Sequence, residues 1–258
     1  MDTQTVLITG ATSGIGWELS KLFAQNGYTL VLVGRDQKKL EGCKKELEQE
    51  FNASVFCLVF DLTNPKAAEQ IYKEVTQTGL TVNVLVNNAG FGAFGKFWEL
   101  DAKTQLDLVQ VNVIAVTHLT HFFLAEMVKR RNGRILNVAS VAGYFVGPYM
   151  AVYYATKAYV LSFSQALTAE LADTGVIVTA LCPGPTQTNF IARARVIHNK
   201  LFRMQNMSPE TVAHAGYEGL MKGKTVVIPG FMHQLEVYAN RFLPTKLSTW
   251  AVKFMHSA

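Results

Sequence analysis

Short apolar runs alternate with longer amphipathic stretches along most of the chain. Strand-like runs occupy residues 5–9, 29–33, 54–60, 82–86, 134–139, 176–181 and 225–228. Helix-like segments lie between them, near 14–26, 36–50, 65–77, 101–130 and 150–173. Most of the strand-like runs are continuously apolar, as happens when helices cover both faces of a parallel sheet. Repeated βα units predict an α/β fold with a doubly wound parallel sheet and right-handed crossovers. No linker, repeat or low-complexity segment interrupts the pattern. A length of 258 residues therefore reads as one domain, 1–258, since sheets of this kind often take about 250 residues. Residues 187–222 read as an irregular, mostly helical insertion suited to a substrate lid. Residues 231–258 read as an amphipathic tail, aromatic and basic, broken at Pro244.

Composition narrows the class. The chain is 49% hydrophobic and 17% charged, which excludes a disordered protein and allows a large core. A membrane span needs about 20 consecutive apolar residues, and no run is expected to serve as one. The first residues lack the basic region of a signal peptide, so a cytoplasmic protein is expected. The net charge of +5 is spread along the chain. Pairs such as Lys38-Lys39 and the run Lys129-Arg130-Arg131 read as solvated helix faces, not as a nucleic-acid footprint. Cys43, Cys57 and Cys182 have neither metal-site nor disulfide spacing. His118 and His121 lack further ligands, so no metal is expected.

The first chemistry-bearing motif follows the first strand and opens a helix: Gly10, Ala11, Thr12, Ser13, Gly14, Ile15 and Gly16. Gly10 suits a tight turn. Gly14 lets the main chain approach a pyrophosphate, and Gly16 lets the helix pack close to the sheet. The helix start offers free N–H groups and a positive dipole end to phosphates. At the end of the second strand, where an acid would bind the ribose hydroxyl of NAD, stand Gly34 and Arg35. A guanidinium there suits a 2′-phosphate, so NADP(H) is the expected cofactor. Asp36 is expected to cap the next helix.

The second motif is Tyr153-x-x-x-Lys157, which places both side chains on one helix face. An ammonium one turn away would bring a phenol, ordinarily near pKa 10, toward its working range. Ser140 ends a strand thirteen residues earlier and offers a hydroxyl to a carbonyl. Asn87, Asn88, Ala89 and Gly90 end the fourth strand. Asn112 sits inside the long helical stretch, where Asn is a poor helix former. Pro183, Gly184, Pro185, Thr186, Gln187 and Thr188 follow the sixth strand.

In order and approximate spacing these motifs resemble the short-chain dehydrogenase/reductase family, over roughly residues 3–190, including its wider glycine spacing and Rossmann-like domain. The resemblance implies that Tyr153 is the general acid/base, that Lys157 lowers its pKa and holds the nicotinamide ribose, and that Ser140 orients the carbonyl. It also implies that Asn112 anchors a water linking Lys157 to solvent. Thr12 or Ser13 would touch the 2′-phosphate. Asp61, Leu62, Asn88 and Ala89 would line the adenosine side, and Pro183, Gly184, Thr186 and Thr188 the nicotinamide side. Tyr154, three residues from Lys157, is a rival to Tyr153 that the family spacing rejects.

Phe91, Phe94, Tyr144, Phe145, Tyr149 and Met150 fall in loops expected at the ligand edge of the sheet and suggest an apolar substrate pocket. Phe202, Met204 and Met207 suit either a flexible lid or core packing. The tail suits a core cover or subunit interface better than a membrane-surface helix. The expected function is hydride transfer between NADP(H) and a ketone/aldehyde–alcohol pair, in a homodimer or homotetramer. A non-catalytic NADP(H)-binding regulator or scaffold, or an isomerase/epimerase on the same site, are the alternatives.

Overall fold

A computed structural model describes residues 4–188 and 207–256. The seven strands are β1 (Thr5–Thr9), β2 (Thr29–Gly34), β3 (Val55–Val59), β4 (Val82–Asn87), β5 (Gly133–Val138), β6 (Val176–Leu181) and β7 (Val226–Val227). They pair in parallel, in the order β3-β2-β1-β4-β5-β6-β7. The helices are α1 (Gly14–Gln25), α2 (Gln37–Phe51), α3 (Ala67–Gln77), α4 (Ala102–Val109), α5 (Val116–Lys129), α6 (Ala151–Glu170), α7 (Pro209–Met221), α8 (Phe231–Asn240) and α9 (Thr245–His256).

Alternate residues of each strand feed different cores, because successive side chains point to opposite faces. Val6, Ile8, Leu30, Leu32, Val84 and Val86 pack on one face with Phe23 of α1, Leu40 of α2 and Val212 of α7. Leu7, Val31, Val33 and Leu85 pack on the other with Ile71 of α3 and Leu119, Phe123 and Met127 of α5. All five residues of β1 are buried, which is why its sequence shows no polar alternation.

One expectation needs correction. The helical stretch near 101–130 is not one regular helix: Gln110–Ala115 forms a π-helical segment between α4 and α5. Ala102–Lys129 is long and apolar enough, by length and composition alone, to cross a membrane. In the fold, Leu108, Val111, Leu119, Phe123 and Met127 of that stretch are buried in the protein interior. Of the expected insertion at 187–222, the described part contains α7 and Met207, which packs against the first core and bridges to Thr186. Phe202 and Met204 lie outside the described residues.

Candidate active site

β1 and β4 are neighbours, and from them the sheet grows in opposite directions. A doubly wound sheet opens a crevice at that switch, beyond the carboxyl ends of its strands. A cleft of about 1370 Å³ lies there and runs from Gly10 and Ser13, past Ser140 and Tyr153, to Val252 and Met255 of α9.

Its floor is the glycine turn. Gly10 (φ 66°) and Gly14 (φ 57°) adopt left-handed backbone, which costs glycine little. A Cβ on Gly16 would stand 2.3 Å from the Gly10 carbonyl oxygen and 2.4 Å from Asn88 Nδ2. The turn is braced from the next strand: Asn88 Nδ2 donates to the carbonyls of Thr9 (2.9 Å) and Gly10 (3.2 Å). Thr9 Oγ1 accepts from the N–H groups of Asn88 and Ala89, both at 3.0 Å. Sequence reasoning missed Thr9, because its partners lie about eighty positions away.

The start of α1 differs from those of α2, α4 and α7. There Asp36, Asp101 and Ser208 accept a backbone N–H in the first turn, so the cap expected of Asp36 is present. Ser13 makes no such bond, which leaves the first N–H groups of α1 facing the cleft, as an anion site requires. A glycine cradle that a Cβ would fill, set at an uncapped helix start, fits the phosphates of a dinucleotide. Thr12, Ile15, Arg35, Asp61, Leu62, Ala89 and Gly90 line the same cleft, as do Pro183, Gly184, Thr186 and Thr188. Gly16 shapes the turn from behind without lining the cleft.

Further along, α6 presents Tyr153 and Lys157. Lys157 Nζ donates to the Val138 carbonyl at 2.7 Å and stands 5.8 Å from the centre of the Tyr153 ring. The Tyr153 hydroxyl is hydrogen-bonded to Ser140. Ser140 Oγ also donates to the Pro183 carbonyl (3.3 Å) and accepts from Ala142 N–H (3.1 Å). Burial pushes Tyr153 up to about 12, opposed by the Ser140 hydrogen bond. Burial pulls Lys157 down to about 8. The pattern led us to expect a lysine depressing its tyrosine. In the chain itself desolvation governs both groups and pushes each toward its neutral form.

Asn112 does not line the cleft. It sits buried in the π-helical segment, where its side chain accepts from Phe91 N–H (3.2 Å) and donates to the carbonyl of Phe91 (3.0 Å) and to Thr156 Oγ1 (3.1 Å). It fastens the loop after β4 to α6. Behind it, Asn87 Nδ2 donates to Asn137 Oδ1 (2.8 Å) and Thr120 Oγ1 (3.0 Å), and Asn137 donates to Ser164 Oγ (2.9 Å). This network ties β4 and β5 to α5 and α6.

Tyr154 is engaged elsewhere: its hydroxyl meets His256 Nε2 of α9 at 2.9 Å. Phe91, Phe94, Phe145 and Met150 line the cleft as expected, but Tyr144 and Tyr149 do not. Tyr144 bonds Cys182 through its hydroxyl and receives the Asn240 side-chain amide on its carbonyl (2.8 Å). Tyr149, in left-handed backbone (φ 66°), accepts from Gly95 N–H at 2.9 Å. A pair that sequence reasoning did not find also lines the cleft: buried His233, whose Nδ1 meets Glu236 Oε2 at 3.1 Å. The His233 ring packs so closely that a Cβ on Gly184 would stand 2.2 Å from its Nε2. His118 and His121 are exposed and pack beside Phe122. Among the described residues no cluster of His, Cys, Asp or Glu could hold a metal ion.

A family model described as short chain dehydrogenase matches residues 4–196. The chain belongs to the short-chain dehydrogenase family. The bovine (Bos taurus) very-long-chain 3-oxoacyl-CoA reductase is 32% identical over 248 residues, which cover 93% of this chain and 76% of that one. A short-chain dehydrogenase from Sphingobium yanoikuyae in complex with NADPH is 32% identical, covers 92% of this chain and 93% of its own, and has a TM-score of 0.84. One from Burkholderia phymatum in complex with NAD is 27% identical, with coverages of 92% and 92% and a TM-score of 0.82. As a short-chain dehydrogenase the protein is a nicotinamide-dependent oxidoreductase, and a regulator without turnover is disfavoured.

Proposed function

We propose that the protein is an NADP(H)-dependent reductase of apolar ketones or aldehydes. The observation that carries this reading is the hydrogen-bonded pair Ser140–Tyr153, with Lys157 one turn along α6, at the midpoint of a cleft that starts at a phosphate turn. A bound reduced nicotinamide supplies the hydride. The hydroxyls of Ser140 and Tyr153 converge where a carbonyl oxygen would sit, and both can donate to it. As charge develops on that oxygen, Tyr153 passes it a proton and the alcohol forms. The high proton affinity that burial gives Tyr153 keeps the phenol protonated until then. Lys157, placed against the phenol ring, stabilises the phenolate left behind, which regains its proton from solvent.

Arg35 supports the choice of NADP(H): it lines the cleft at the end of β2, and no acid precedes it there. The Sphingobium relative, solved with NADPH, is consistent with this choice. Phe91, Phe94, Phe145 and Met150 support an apolar substrate, as does the long acyl chain in the bovine relative's name. Leu106, Ile114 and Tyr159 are 70%, 37% and 40% exposed. They lie on α4, on the π-helical segment and on α6, and give a surface for the homodimer or homotetramer. We place the protein in the cytoplasm.

The test is cofactor oxidation over a panel of ketones and aldehydes. Tyr153→Phe should lower turnover by roughly 10²–10⁴-fold, the usual contribution of a general acid, and leave cofactor affinity intact. Unchanged turnover would remove the mechanism. Arg35→Ala should raise the KM for NADPH and spare NADH; an equal change for both would remove the 2′-phosphate assignment. Product release without net cofactor oxidation would indicate an isomerase or epimerase instead.

A further inference from the structure

The last two helices bury a narrow stripe and expose the rest. On α8 only His233 and Val237 are buried, and on α9 only Ser248, Val252 and His256. A spacing of four keeps each set on one helix face. Beside exposed Gln234 and Glu236, much of the remaining surface is apolar. Tyr238 is 61% exposed, Phe242 86%, Leu247 50% and Trp250 63%. Large apolar groups exposed together mark an interaction surface.

Charge says what kind of surface it meets. Arg241, Lys246 and Lys253 are interleaved with these side chains, and no Asp or Glu occurs between Val237 and Ala258. All three cations are exposed, and none takes part in a salt bridge among the described residues. A second copy brought up face to face would set cation against cation, which disfavours the contact. An anionic bilayer complements both features: its headgroups attract the cations and its acyl boundary accepts the aromatic and aliphatic groups. The same two helices and the turn between them also form one wall of the cleft, through Ala239, Leu243, Ala251 and Met255.

We propose that α8, α9 and the turn between them are a docking face for the surface of an anionic phospholipid membrane. Phe242, Leu247 and Trp250 enter the headgroup–acyl boundary. Arg241, Lys246 and Lys253 pair with lipid phosphates. The contact is peripheral and reversible, and it turns the apolar end of the cleft toward the lipid.

Flotation of the full chain with vesicles tests this, using phosphatidylcholine alone or mixed with phosphatidylglycerol. The expected result is recovery with the mixed vesicles, at least about tenfold above the neutral ones, and reduced by salt. Phe242→Glu combined with Trp250→Glu should abolish it. Arg241→Glu combined with Lys246→Glu should lower it by more than about tenfold, since each cation near such a surface contributes a factor of about five. The charge pair alters only exposed polar positions, so it still decides the matter if the apolar pair misfolds by circular dichroism. No flotation, equal recovery with both vesicles, or insensitivity to the charge pair would overturn the proposal. So would a dimer in sedimentation that the apolar pair abolishes while vesicles recover nothing, since a second copy would then own the face.

Discussion

The two ends of the cleft are built by different means. At the phosphate end, backbone fits against backbone: Gly16 lies under the Gly10 carbonyl, and Asn88 and Thr9 tie two strand ends together. At the far end, side chain meets side chain across long stretches of sequence. Tyr154 touches His256, and Gly184 lies under the His233 ring. The first end has almost no freedom, because main chain cannot step aside. The second can adjust by turning a ring. A dinucleotide is a constant ligand and suits the rigid end; a substrate class varies and suits the adjustable one.

Paired substitutions should break this contrast most visibly. Gly16→Ala forces a Cβ into main chain and should cost about 1–3 kcal/mol or more of stability, with loss of measurable nucleotide binding by calorimetry. Gly184→Ala meets only the His233 ring, so its melting temperature should fall less and nucleotide should still bind. Equal losses would show that the far end is as rigid as the near one.

A smaller effect tests the point where the two ends meet. Lys157 is buried, and its folded pKa of about 8 lies below its ordinary value of 10.5. Between those values the unfolded chain binds more protons than the folded one, so stability rises with pH across that window. Unfolding of wild type against Lys157→Met should show the difference shifting in favour of wild type, by at most about 1.4 kcal/mol per pH unit. A flat difference between pH 8 and 9.5, below the range where tyrosines contribute, would place the amine in contact with solvent.

The smallest effect belongs to the contact with the tail. Tyr154→Phe removes one hydrogen bond to His256, whose pKa burial lowers to about 4. It should cost about 0.5–1.5 kcal/mol, raise the KM for a bulky ketone several-fold and leave nucleotide affinity alone. A fall in kcat with KM unchanged would mean that Tyr154 acts on the chemistry after all.

The same contrast explains what could be read in advance. Strands buried on both faces show as unbroken apolar runs, and a phosphate turn must place its glycines within a few residues. The sheet, the turn and the Tyr153–Lys157 pair are therefore local patterns and were legible. Contacts such as Tyr154–His256, 102 positions apart, leave no local trace. Tyr144 and Tyr149 lie in the expected loops, yet one turns to Cys182 and the other leaves the cleft wall to its neighbours. His233 looked like any residue of an amphipathic tail. Asn112 was conspicuous as an unfavourable helix residue, but nothing in its surroundings announced that the helix changes its winding there.

That change of winding has a consequence for how the gene can vary. An α-helix turns about 100° per residue, and a π-turn, which closes its hydrogen bonds one residue later, turns less per residue. The six residues Gln110–Ala115 therefore cover about the rotation that one residue fewer would cover in an α-helix. Deleting one of them, Asn112 apart, would let regular winding resume with Leu108 still facing the core. Deleting a residue from regular α5 instead would turn one side against the other by about 100° and swing buried groups outward. A change of length by one residue should therefore be absorbed at this segment more readily than in the regular helices on either side.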